Sequence, residues 1–224
     1  MENLDENLTP EMKEEIIKDL KTSADEGNNE SQYYLGVCYY FGLGVEQDLE
    51  EAVKWYKQSA EQGNRVAQLN LGNCYLNGDG VEQNNEEAIK WYKQSAEKGN
   101  LDAQCILGNL FYDGKMVEQS YEEAIKWLTL AANQGHSYAQ NALGDCYYNG
   151  DGVEQNYEEA VKLYKQSASQ SNDLAQNALG DCYFYGIGIE KNIEEGIKFY
   201  KLAAEQGNEY SILKLKEILK EENN

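Results

Sequence analysis

The amino-acid sequence predicts an all-α fold of stacked helix-turn-helix repeats, twelve helices long. Three observations predict it. The stretch Tyr33 to Val45 returns as Leu69 to Val81, Cys105 to Val117, Asn141 to Val153 and Asn177 to Ile189, each copy 36 residues after the last without insertion or deletion. Self-similarity at such a period marks units that bury their apolar faces only against their neighbours. Within each copy the spacing is helical: Ser31, Leu35, Cys38 and Tyr39 fall on one stripe at i, i+4, i+7 and i+8. Start and stop signals then recur at fixed offsets around that stripe.

The elements follow in order. Thr9-Pro10-Glu11 opens the first helix with a hydroxyl cap, a proline at the first helical position and an acid at the positive end of the dipole. The segment Glu14 to Asn28 aligns with Glu50 to Asn64, so residues 10–28 read as an N-terminal half-repeat that caps the array. Five full repeats follow at 29–64, 65–100, 101–136, 137–172 and 173–208, and a capping helix occupies 209–222 of a single domain spanning 1–224.

Each repeat holds a helix A and a helix B. Gly36 recurs mid-helix in every A helix, where glycine costs about 1 kcal/mol relative to alanine, so another helix must approach closely there. The final helix carries Lys216 in that slot and Ile218 in the cysteine slot, as suits an end with no B helix to follow. The Gly42-Leu43-Gly44-Val45 turn ends helix A. Asp48, Asn84, Ser120, Asn156 and Asn192 then cap the B helices, each with glutamate three residues on, the pattern of a capping box. Glu50 and Lys54 suggest an i, i+4 ion pair that recurs down the chain. Trp55, Trp91 and Trp127 fit the seam between adjacent units. Gly63, Gly99, Gly135 and Gly207 supply left-handed stops, and Ser171 breaks the series, which predicts a locally different turn.

Composition narrows the function. Forty acidic against nineteen basic residues give a formal charge of −21, and Arg65 is the lone arginine. Such a surface repels phosphate backbones and anionic lipid, so neither nucleic acid nor membrane is expected as a partner, and a basic protein or peptide is favoured. No run of 18 or more apolar residues occurs. The start Met1-Glu2-Asn3-Leu4-Asp5-Glu6-Asn7 lacks the basic-then-apolar order of a secretion signal, and the expectation is a cytoplasmic monomer. Cys38, Cys74, Cys146 and Cys182 share one slot and Cys105 another. Equivalent slots in stacked helix pairs lie on the order of 18–20 Å apart, beyond disulfide reach. They are expected to be reduced and buried, and no Cys-x-x-Cys spacing suggests zinc.

Chemistry-bearing motifs are weak. Asn77-Gly78-Asp79-Gly80 and Asn149-Gly150-Asp151-Gly152 resemble calcium loops only briefly, because Val81 and Ala88 stand where loop positions 5 and 12 need oxygen ligands. Turn chemistry accounts for them. The paired glutamates from Glu50/Glu51 to Glu194/Glu195 sit in first turns, where the helix dipole explains them. His136 is the single histidine and replaces the asparagine of other repeats. No nucleophile, base and orienter can be assembled, so no enzyme and no cofactor are expected.

Ala139, Leu143, Gly144 and Tyr147 resemble the first helix of a tetratricopeptide repeat. The 36-residue period, the Gly-x-Gly-Val turn and the ending Ser59-Ala60-Glu61-Gln62-Gly63 are more similar to the Sel1-like repeat, from residue 13 to about 220. That resemblance implies a right-handed α-solenoid acting as a scaffold or adaptor in protein complexes. One secreted bacterial branch of the family bridges the two helices of each repeat with paired cysteines and is linked to penicillin binding. An alternative function implied by that branch is a cell-wall-fragment or penicillin-binding, β-lactamase-like protein, although this chain lacks the pairs.

By analogy with tetratricopeptide geometry, helix A lines a concave, peptide-binding face. The residues it would present are Tyr33, Val37 and Tyr40; Leu69 and Asn73; Asn109 and Tyr112; Asn141, Asp145 and Tyr148; and Asn177, Asp181 and Phe184. These positions vary while the Leu-Gly framework repeats, as expected of a fixed scaffold with an adjustable surface. Asparagine can both donate to and accept from a peptide backbone.

Overall fold

The structure is a computed structural model that describes residues 9–221. The stretch Met1 to Asn7 and the last residue of the expected 209–222 cap lie outside the described residues. Among those described there are twelve α-helices and no strand. They are α1 (Pro10–Asp25), α2 (Asn29–Phe41), α3 (Leu49–Glu61), α4 (Arg65–Asn77), α5 (Asn85–Glu97), α6 (Leu101–Asp113), α7 (Tyr121–Asn133), α8 (Ser137–Asn149), α9 (Tyr157–Ala168), α10 (Asp173–Tyr185), α11 (Ile193–Glu205) and α12 (Glu209–Glu221). The chain forms two compact units, one ending at Gln104 and the other beginning at Cys105, with the division inside α6.

In the first unit each helix packs on its sequence neighbour from α1 to α5. The recurrent glycine explains how closely. A Cβ at Gly36 would stand 2.6 Å from the Tyr56 ring, and one at Gly72 would stand 2.6 Å from the Tyr92 ring. Both tyrosines are fully buried. The absent side chain of helix A is thus the space that the helix B ring fills. Trp55 packs with Ala24 and Leu35 across the seam between α1 and the first repeat. The second unit repeats the arrangement, with Leu128, Tyr164 and Tyr200 lying over Gly108, Gly144 and Gly180.

Several local expectations need correction. The Asp48 carboxylate does accept from the Glu51 N–H at 2.9 Å, but the Asp48 N–H donates to the Tyr39 carbonyl of the preceding helix at 3.0 Å. Asn84, Ser120, Asn156 and Asn192 do likewise with Tyr75, Phe111, Tyr147 and Tyr183. Only half of a capping box therefore forms, because the chain folds back close enough for a backbone acceptor to take the cap donor. The freed glutamates pair with lysine at i, i+3 and not at i, i+4: Lys54 meets Glu51 at 2.8 Å, and the later repeats follow. None of the five cysteines is in a disulfide, yet Cys38 is only half-buried while the other four are buried. Ser171 adopts φ 63°, the same left-handed region as Gly63 and Gly207 at φ 90°. The turn nonetheless differs locally, as the sequence predicts: α9 ends a residue early, and no bond from the Asn172 N–H to the Ser167 carbonyl repeats that of Asn64 with Ser59; the serine carries the strain of its left-handed backbone.

Sequence reasoning missed one framework residue. Gln32, Gln68 and Gln104, and in the second unit Gln140 and Gln176, occupy the same slot and are buried. The side-chain amides of Gln32, Gln68, Gln104 and Gln140 donate to the carbonyls of Ala24, Ala60, Ala96 and Ala132 near the end of the previous B helix, at 3.0 to 3.2 Å. This satisfies an orphan helix-end carbonyl that would otherwise be buried without a partner. The signal available was a polar residue recurring at one slot in every repeat.

Candidate binding groove

Thirteen A-helix residues are expected to face a ligand, and the structure separates twelve of them into three groups and sets Phe184 apart. Val37 and Leu69 are buried at 5% and 8% exposure and belong to the core. In the first unit, Tyr40 and Asn73 border a small pocket of ≈ 190 Å³ with Phe41, Tyr56 and Asn70. Much of that surface is already engaged. The Tyr40 hydroxyl donates to Asp79 at 2.8 Å, across 39 residues, and the Tyr33 ring lies tilted beside that of Tyr56 with centroids 6.2 Å apart. Asp79, read from the sequence as turn chemistry, therefore also ties one repeat to the next. Asn73 accepts from the Tyr92 hydroxyl at 2.8 Å.

The larger opening lies in the second unit. A groove of ≈ 580 Å³ is lined by seven of the expected residues, Asn109, Tyr112, Asn141, Asp145, Tyr148, Asn177 and Asp181. Its other walls were not foreseen: the acid and amide of Asp113 and Asn149, the small or apolar Ala142, Leu174 and Ala178, and the B-helix residues Leu128 and Tyr164. No lysine or arginine is among the lining residues. Phe184 stands apart, with the Lys214 ammonium 5.8 Å from its ring centroid.

The polarity of the groove floor follows from pairs of A and B positions. In the second unit, where helix B supplies a tyrosine over the glycine, its hydroxyl reaches the residue one position beyond that glycine on helix A: Tyr164 donates to Asp145 at 2.7 Å and Tyr200 to Asp181 at 2.6 Å. Leu128 replaces that tyrosine in the third repeat, and Asn109 is exposed there, its amide 3.8 Å from the Cys105 sulfur. Asp145 also accepts from the Asn141 amide at 3.1 Å. Burial lifts the Asp145 carboxyl to about 6, with the Tyr164 and Asn141 hydrogen bonds opposing the rise. Burial raises Asp181 too, opposed by Tyr200, by the positive charge of Lys214 and by Tyr210. The Asn141 carbonyl oxygen is buried and has no hydrogen-bond partner.

Such a surface can accept hydrogen bonds and attract positive charge. It holds no group of histidine, cysteine and acidic side chains arranged for a metal ion among the described residues. No helix among those residues is long and apolar enough to cross a membrane.

A family profile described as Sel1 repeat matches residues 29–64, 65–100, 101–136, 137–172 and 173–208, the boundaries read from the sequence. Among solved structures, c5321, a protective antigen of uropathogenic Escherichia coli with an SLR fold, is 37% identical with a TM-score of 0.85. The match covers 90% of this chain and 43% of that one, so the chain spans less than half of the antigen's length. A Sel1 repeat protein from Oxalobacter formigenes is 38% identical with a TM-score of 0.80, over 86% of this chain and 78% of that one. A Sel1 repeat protein described as putative, from Klebsiella pneumoniae, shares the fold at 20% identity and a TM-score of 0.54, over 90% of this chain and 98% of that one. No curated protein is similar enough to this chain to count as a relative. The all-α solenoid of helix pairs is thus the fold class of this chain and of these proteins.

Proposed function

Because this chain belongs to the Sel1 repeat family, we propose that it is a non-catalytic scaffold that binds a protein or an extended peptide on its A-helix surface. The groove between α6 and α10 is the principal contact. The observation that supports this reading is the groove itself: asparagines, aspartates and tyrosines at positions that differ from repeat to repeat, set on a glycine, glutamine and leucine framework that does not. Amides and hydroxyls can follow the polar main chain of a partner, and tyrosines offer contact area at low entropic cost. The net charge of −21 favours a basic partner and speaks against nucleic acid and membrane surfaces. A reducing, cytoplasmic setting is consistent with five cysteines that form no disulfide.

Asn109 is exposed on the groove wall, so Asn109→Trp should obstruct the groove without touching the core. Partners captured from the native host by the parent chain should be lost by Asn109→Trp and kept by Lys57→Gln, an exposed change on the outer side of α3. Gln58 and Gln94 are unsuitable outer-face controls, since they accept from Gln32 and Gln68 at 3.3 and 3.4 Å. Partners retained by Asn109→Trp and lost by Lys57→Gln would place binding elsewhere.

A further inference from the structure

Two successive seats in the second unit are related by the 36-residue repeat, and they differ in what fills them. In the later seat, α12 lies against α10. Ser211 donates its hydroxyl to the Asn177 carbonyl oxygen at 2.7 Å. Lys214, three residues on, sets its ammonium 5.8 Å from the Phe184 ring centroid and 5.6 Å from that of Tyr185, and its charge bears on Asp181. The seat's amide, acid and aromatic positions are thus served by two neutral hydroxyls of α12, Ser211 on Asn177 and Tyr210 on Asp181, and by the one cation Lys214.

In the earlier seat the acceptors are the same or equivalent. Asn141 stands for Asn177, Asp145 for Asp181 and Tyr148 for Phe184. The donors are gone. Ala175 stands where α12 has Ser211, and Ala178 where it has Lys214. Two independent consequences are visible. The Asn141 side-chain oxygen is left buried and without a hydrogen-bond partner in a residue only 7% exposed. Asp145 faces the groove with hydrogen bonds from Tyr164 and Asn141 but no lysine or arginine among the lining residues. The truncation at Ala178 helps to open the groove, since that residue is part of its wall.

We propose that the seat formed by Asn141, Asp145, Tyr148 and Ala178 receives a lysine side chain of a partner protein, whose ammonium supplies in trans the hydrogen bond and the positive charge that Ser211 and Lys214 supply in cis one repeat later. An ammonium carries three donors, enough for the Asp145 carboxylate and for the Asn141 side-chain oxygen once that buried amide turns towards the groove, and Tyr148 offers an aromatic face beside it. This inference rests on the groove being the binding surface and adds which side chain the groove selects. Asp145 supports it: a carboxyl lifted to about 6 by burial is a buried anion awaiting a counter-charge. The groups facing it are the Tyr164 hydroxyl and the Asn141 amide; Asp113 and Asp181 share the groove and Cys146 and Cys182 lie behind. None of them supplies positive charge.

The test uses the full chain and three decapeptide pools with randomised flanks and a central lysine, Nε-acetyl-lysine or glutamate. Binding is read by fluorescence anisotropy, and the Asn141 side-chain amide and Asp145 carboxyl are followed by NMR. The lysine pool should bind at least about tenfold tighter than the acetylated pool, shift the Asn141 amide and lower the Asp145 midpoint. Its affinity should fall as pH drops through the Asp145 midpoint. Ala178→Lys should mimic the later seat, lowering the Asp145 midpoint without ligand and removing the preference for lysine. Equal binding of all three pools, abolished by Asn109→Trp, would overturn the lysine seat and leave the groove intact as a binding surface. Binding that Asn109→Trp does not alter, or no binding by any pool, would overturn both.

Discussion

The glycine slot gives the most direct measure of how tightly the helix pairs are packed. A Cβ built at Gly144 would lie 2.7 and 2.8 Å from two carbons of the Tyr164 ring, well inside van der Waals contact. The ring is fully buried and its hydroxyl is tied to Asp145 at 2.7 Å, so it cannot step aside. Gly144→Ala gains about 1 kcal/mol of helix propensity and meets the upper part of the roughly 1–3 kcal/mol cost of overpacking. The net expectation is a loss of about 2 kcal/mol. At Gly108 the same Cβ would lie 2.6 Å from Leu128 Cγ, but a leucine can change rotamer, and no hydrogen bond holds it. Gly108→Ala should therefore cost no more than about 1 kcal/mol, whereas Gly108→Leu, with no room at all, should cost about 3. Lys216 occupies the slot on α12 and is exposed, so Lys216→Ala should stay within about 0.5 kcal/mol of the parent. Urea unfolding followed by far-UV circular dichroism ranks the variants. Equal losses at positions 108, 144 and 216, or a stabilised Gly144→Ala, would refute the claim that helix B rings fill the space left by the glycines.

Three further outcomes are expected. Ser171→Gly should raise stability by about 0.5–1 kcal/mol, because the residue already stands at φ 63° and glycine bears that conformation without strain; a lower denaturation midpoint would contradict it. Native thiol titration should modify Cys38 ahead of the four buried cysteines, with all five reacting after denaturation without reductant; burial also pushes the Cys74, Cys146 and Cys182 thiols up to about 12. Asp145 is raised to about 6 from 3.8, so the folded chain binds its proton more tightly than the unfolded chain. Its ionised form destabilises the fold at about pH 7, and that penalty fades as pH falls through about 6 towards 4. The isosteric Asp145→Asn should melt above the parent at about pH 7 and lose the advantage at about pH 4; an advantage that grows on acidification would show the sign to be wrong.

Much of the fold is determined by the sequence alone, because its signals are local and repeated. The helix count, the repeat boundaries from 29 to 208, the left-handed glycine stops and the mid-helix glycine all depend on residues within one turn or one period of each other. Even the close approach at Gly36 could be inferred, since a costly residue kept at one slot needs a steric reason. What the sequence could not decide was which A-helix side chains face the groove. That depends on neighbours one repeat away. Val37 and Leu69 fall into the core, while Asp145 and Asn141 meet in the groove under the Tyr164 hydroxyl. The capping glutamates looked committed to backbone N–H groups until the preceding helix brought its own carbonyl to the cap. Tyr40 and Asp79, 39 residues apart, become partners only when one repeat is laid on the next. The difference between a filled seat at Asp181 and an open one at Asp145 is likewise tertiary. It lies in Ser211 and Lys214 of α12 against Ala175 and Ala178 of α10, four residues whose meaning comes from the helix they are stacked upon.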